Sequence, residues 1–187
     1  MMFSVKVITP PASEPVTLDE AKAWLKLETS DDDGVVIRLI ATARQMVERY
    51  SRRALITQLW RLGLRQRPNS ASVLFPIAPV SQITAAFWLQ SDTTKTSLDV
   101  NSLMLDSMAE PPCLILPDMV LSAFTGTNTL MLDVQCGYGS QSSAVPEALK
   151  QAILVFIAQA YEQRCATDRL PIDAIAGLIA PYMIRRI

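Results

Sequence analysis

The stretch Val145-Pro146-Glu147-Ala148-Leu149-Lys150-Gln151-Ala152-Ile153-Leu154-Val155-Phe156-Ile157-Ala158-Gln159-Ala160-Tyr161-Glu162-Gln163-Arg164 decides how this chain has to be built. Leu149, Ile153, Phe156, Ile157 and Ala160 recur at helical spacing, and Pro146 suits a first helical position, so the segment predicts a helix reaching Arg164. Ala152, Leu154, Val155 and Ala158 carry apolar character almost all the way round it. Such a helix must be covered on more than one side. Its most apolar run, Ala152 to Ala160, is too short to span a bilayer.

The covering elements are found at both ends of the chain. Thr17-Leu18-Asp19-Glu20 has capping-box spacing and opens a helix to about Leu27, with Leu18, Ala21, Trp24 or Leu25, and Leu27 on its apolar face. Val16, just before the cap, is placed to pack on Ala21. Ser30-Asp31-Asp32-Asp33 opens a second helix and puts carboxylates at its electropositive end. Val36, Ile40, Ala43, Val47 and Tyr50 then step along one stripe to about Ser51. A last helix is expected from near Pro171 to before Pro181, burying Ile172, Ile175, Leu178 and Ile179.

Between Leu55 and Val134 the period changes to two and turn residues multiply, which predicts a β-rich section. Trp60, Leu62 and Leu64 alternate with Arg61, Gly63 and Arg65; segments 82–89 and 96–100 flank the polar Ser91-Asp92-Thr93-Thr94 as a hairpin. Further strands are expected at 113–116 and 129–135, kept short by Pro76, Pro79, Pro111, Pro112 and Pro117. The predicted fold is α+β: a four-helix bundle-like core with an inserted antiparallel β section. Residues 1–54 and 140–187 supply the helices and residues 55–139 the insertion.

Composition removes several classes of function. Half of the 187 residues are hydrophobic and 17 basic side chains face 18 acidic ones, so the strong positive field of a dedicated nucleic-acid binder is missing. There is no histidine, which excludes Ser-His-Asp and Cys-His catalysis and the commonest metal ligand. Cys113, Cys136 and Cys165 form no CxxC pair and read as reduced thiols. Residues 1–11 have no signal-peptide run, so cytoplasmic synthesis is expected.

Candidate sites are few. Asp31-Asp32-Asp33-Gly34 has the look of a calcium loop, but the position where an EF-hand needs a bidentate Glu is Thr42; helix capping is the better reading. Trp24, Trp60 and Trp88 each sit on an apolar stripe, where core packing is favoured over base stacking. A helix-turn-helix made of the first two helices would need basic or amide groups at the start of the second, where three aspartates stand. Arg49, Arg52 and Arg53 form one local basic cluster, equally readable as an acidic-partner contact and as a solvated helix end. Arg185 and Arg186 pose the same choice.

Three segments resemble the head-tail connector (adaptor) family of tailed bacteriophages, in its long form with an inserted β section. They are Pro15 to Lys22 with Asp31 to Gly34, Ile40 to Tyr50 and Arg53 to Gln58; Gly137-Tyr138-Gly139 with Val145 to Ile153 and Tyr161-Glu162; and Leu170-Pro171 with Leu178 to Tyr182. The resemblance implies a structural virion protein, synthesised in the host cytoplasm. It would form a ring, usually twelve-fold, that docks on the portal in the virion neck and joins head to tail. Its implied partners are the portal protein, neighbouring copies of itself and a tail-side neck protein. No cofactor, metal, catalysis, membrane or sequence-specific nucleic acid is implied. Arg49, Arg52, Arg53, Tyr182, Arg185 and Arg186 are the candidates for partner contact. A tail-completion protein of the same virion is the alternative.

Overall fold

The computed structural model of the chain describes residues 3–162 and 172–184. The elements run β1 (Phe3–Thr9), α1 (Leu18–Leu25), α2 (Asp33–Ser51), β2 (Gln58–Leu64), β3 (Ser72–Leu74), β4 (Val80–Leu89), β5 (Lys95–Leu98), β6 (Met104–Asp106), β7 (Cys113–Ile115), α3 (Asp118–Ser122), β8 (Thr129–Cys136), α4 (Glu147–Glu162) and α5 (Ile172–Ile179). The chain is α+β, with antiparallel sheets throughout. It divides into two compact units: a β unit of residues 1–11 and 57–137, and a helical unit of residues 12–56 and 138–187. The backbone passes from one unit to the other three times, after Pro11, Ile56 and Gly137.

In the helical unit, α1, α2 and α5 all pack against α4, which buries Leu149, Ala152, Ile153, Phe156 and Ile157. Leu154, Val155 and Ala160 are partly buried against the same core, which is why this helix had to be apolar nearly all round. Val36, Ile40, Ala43 and Val47 of α2 and Ile175 and Ile179 of α5 complete it. Each valine, leucine, isoleucine or phenylalanine among them contributes about 1.5–3 kcal/mol when fully buried. The capping box at Thr17 forms in full, with Glu20 returning to the Thr17 amide at 2.7 Å. Val16 and Ala21 are both buried in the core cluster.

Three helical details differ from the expectation. Trp24 is 46% exposed, because Lys26 ends α1 in a left-handed cap and the short helix turns Ala21, Leu18 and Leu25 inward instead. Asp32 precedes α2 without making a side-chain cap. It accepts a hydrogen bond from the Tyr161 hydroxyl, and Asp33 pairs with Lys22 at 2.7 Å. Pro146 stands just before α4, its carbonyl accepting from the amides of Leu149 and Lys150. The expected extension to Arg164 and the helix start at Pro171 fall outside the described residues.

The β unit holds a five-stranded sheet of order β1-β2-β8-β4-β5 and a three-stranded sheet of order β3-β7-β6. Register aligns Leu62 with Leu132 and Ala86, and Leu64 with Leu130 and Trp88, so one face of the large sheet is a continuous apolar surface. Trp88 meets Phe124 edge-on at 4.8 Å. On the opposite face Arg61 forks onto Asp133 at 2.6 and 2.7 Å, and its guanidinium lies 5.2 Å from the Phe87 ring centre. The Asp133 hydrogen bond, outweighing some burial, raises the Arg61 pKa further.

The N-terminal strand is the main departure from the expected layout, in which the segment before α1 had no strand. Phe3, Val5 and Val7 alternate with Ser4 and Lys6 and pair along β2, from Phe3 opposite Leu64 to Val7 opposite Trp60. A period-two pattern this short, isolated from the rest of the β section, is visible only once its partner strand is known. Of the small sheet, whose strands are three residues each, the sequence reading anticipated β7 but not β3 or β6.

Candidate functional site

The residues singled out for partner contact gather, as far as the structure describes them, at the carboxyl end of α2. That end is built by a hydrogen-bonded relay. The Ser51 hydroxyl bonds back to the Val47 carbonyl at 2.6 Å and accepts from the Arg53 amide at 3.2 Å. Arg52 takes the left-handed cap position at φ 58°. The C-terminal segment returns to this point: Ile184 donates its amide to the Ser51 carbonyl at 3.1 Å, and Arg53 donates Nε to the Tyr182 carbonyl at 2.6 Å.

The cluster therefore splits by role. Arg53 is 8% exposed and holds the C-terminal segment, which makes it an internal tie. Arg49 is exposed on the outer face of α2, and Arg52 is half-buried. Tyr182, in a short turn of residues 180–182, is half-buried, and Met183 beside it is exposed. Tyr50, expected on the buried stripe, is 38% exposed at this end. The result is a surface with two cationic groups, an aromatic ring and a methionine. Arg185 and Arg186 lie outside the described residues.

Beneath this surface lies a charged network that the sequence reading missed. Arg44 is 8% exposed on the core side of α2, donating Nε to Glu14 at 2.7 Å and a terminal nitrogen to Glu48 at 2.9 Å. Glu48 also accepts the Leu55 amide at 2.9 Å, tying the helix to the segment that follows it. Burial lowers the Arg44 pKa, but its hydrogen bond to Glu14 and the charges of Glu48 and Glu14 outweigh that and leave it raised. The i,i+4 spacing of Arg44 and Glu48 was the available signal. Its burial was not, since nothing local distinguishes it from a solvated pair.

Nothing in this geometry assembles reacting groups. No cluster of three metal-ligating side chains occurs among the described residues, and the aspartates before α2 are engaged by Tyr161 and Lys22. Cys113 and Cys136 are buried, and burial pushes the Cys136 thiol up to about 12. No described helix is long and apolar enough to cross a membrane.

Comparison with known proteins bears on what such a surface is for. Residues 15–101 match the family model of the phage gp6-like head-tail connector protein. Within that stretch the chain is similar to the head-tail connector family. The match spans α1, α2 and the β4–β5 hairpin, and structural likeness extends to the whole chain. A protein from the neck of an empty gene transfer agent particle, with C6 symmetry, superimposes with a TM-score of 0.81 at 25% identity, over 100% of this chain and 97% of that one. A protein from the neck of the native particle with C12 symmetry gives 0.73 at 25% identity and the same coverage. A protein from the virion of the native particle, 22% identical, shares the fold at a TM-score of 0.77, again over 100% and 97%. No curated protein sequence matches the chain. The family match and the likeness to neck proteins agree on a structural neck protein.

Proposed function

We propose that this protein is a head-tail connector, a ring subunit of the virion neck that docks on the portal and links the DNA-filled head to the tail, without catalysis or cofactor. The observation that carries this reading is the likeness, over 100% of the chain, to proteins of gene transfer agent necks with six-fold and twelve-fold symmetry. The physics is compatible with it. A ring subunit needs two different surfaces that meet head to tail. A near-neutral chain, at net charge −1, does not grip DNA that passes by. In this reading residues 1–54, apart from the stretch to Pro11 that carries β1, and residues 140–187 act as one bundle-like framework, and residues 55–139 are an insertion carried by it. Arg49, Arg52, Arg53, Tyr182, Arg185 and Arg186 serve contacts to the portal or to neighbouring copies, Arg53 acting through the segment it holds.

The test is co-sedimentation of the purified protein with the portal and procapsid of its own phage, followed by imaging of the complex. A symmetric ring at the portal vertex is the expected result. Binding to isolated tails in place of the portal would overturn the reading in favour of a tail-completion protein.

A further inference from the structure

The small sheet of the β unit has one buried and one open face. Val73, Leu114 and Leu105 share the inner face, where Val73 and Leu114 are at most 2% exposed. By the same register Ser72, Leu74, Met104, Asp106, Cys113 and Ile115 share the outer face, where Cys113 is covered at 8% exposure but Leu74 is 43% and Met104 61% exposed. Met108, in the turn that leaves β6, is 93% exposed. Unbranched methionines grouped on an open surface suit contact with an irregular partner.

The stretch that carries β6, β7 and α3 bears charges of one sign, whereas the exposed Arg65 and Arg67 lie in the stretch before β3. From residue 96 to residue 149 the chain contains no lysine or arginine, while Asp99, Asp106, Glu110 and Asp118 are all exposed. The surface at the end of α2 has the opposite character: Arg49 and Arg52 beside Tyr50 and Met183, with no acidic residue from 49 to 54. One surface is apolar with carboxylates, the other apolar with guanidinium groups. They belong to different units of the same near-neutral chain.

We propose that the outer face of the small sheet in one copy receives the basic end of α2, with its docked C-terminal segment, of the next copy. This head-to-tail contact rests on the ring reading above and names the two surfaces that the ring requires. Opposite charges set the register and direction of the contact, and the methionines and Tyr50 supply its apolar area. A contact of this kind weakens as salt is added.

Arg49→Glu/Arg52→Glu and Glu110→Lys/Asp118→Lys test it in the full-length protein, with circular dichroism checking that each folds and Asp118→Lys as a milder second form. Each variant alone is expected to lose at least tenfold in ring occupancy on the portal. An equimolar mixture is expected to regain it, because every contact in an alternating ring then pairs unlike charges. A wild-type ring from either variant alone, or folded variants whose mixture fails to recover, overturns the proposal while leaving the connector reading intact. If the wild-type protein does not bind the portal, sedimentation in free solution decides. Salt-sensitive self-association with the same loss and recovery sustains this interface without the portal, and its absence up to the solubility limit overturns it.

Discussion

Replacing Arg44 with methionine removes the cation from a site that two carboxylates share. The side chains of Arg44 and Glu48 are 9% and 10% exposed and that of Glu14 is 33% exposed, so water relieves Glu14 after the substitution but not Glu48. Glu48 keeps the Leu55 amide at 2.9 Å but loses the charge of Arg44. Stranding one member of a buried ion pair costs about 3–5 kcal/mol, and the partial exposure of Glu14 argues for the lower end, about 3 kcal/mol. That is roughly a hundredfold in the unfolding equilibrium. Amide hydrogen exchange followed by mass spectrometry is the assay: slow amides of α2 and α4 should exchange about a hundredfold faster. Converting Glu48 to methionine as well should recover much of the loss, since both charges of the buried pair are then removed together. If Arg44→Met costs no more than the exposed Arg49→Ala, within about 0.5 kcal/mol of wild type, the network does not bear on stability and the reasoning fails.

Thr17→Ala should cost about 1 kcal/mol by removing the α1 cap, measurable as a lowered urea midpoint. Glu20 has its pKa lowered below the ordinary 4.5, first by the Thr17 amide. Its contribution is therefore present above that ordinary value and fades as pH falls through the lowered one; a Glu20→Gln variant whose deficit persisted unchanged in strong acid would contradict this. Gly139→Ala would place a Cβ 2.6 Å from that of Ala144, and the overpacking should cost about 1–3 kcal/mol, seen as a drop in melting temperature. Cys136, fully buried with its thiol near 12, should react with iodoacetamide at pH 8 about a thousandfold more slowly than a free thiol until the protein unfolds; rapid native labelling found by peptide mapping would refute the burial argument.

What was legible in the sequence follows the range of the interactions involved. The capping box at Thr17, the stripe from Val36 to Val47 and the hairpin of β4 and β5 are set by neighbours a few residues away, and they stand where expected. Strand β1 draws its identity from pairing with residues 59–64, and seven residues of alternation could not announce that. The aspartates before α2 had a local explanation as caps, yet their partners are Lys22 and Tyr161, the latter 129 positions along the chain. The basic cluster was visible as composition. Its division into an inner Arg53 and an outer Arg49 depends on where the chain end returns, which composition does not encode.

The three passages of backbone between the units bear on mechanical strength. Tension applied to one unit while the other is held is carried by three peptide segments in parallel, so separation would require unravelling one of the units first. The segment ending at Pro11 draws directly on β1, whose ladder with β2 would be the first resistance met along that path. A protease cut at any one of the three passages would leave the two units still joined by the other two. Such a subunit tolerates a nick and shares a pull, which is a useful property for a coupling that has to hold under load.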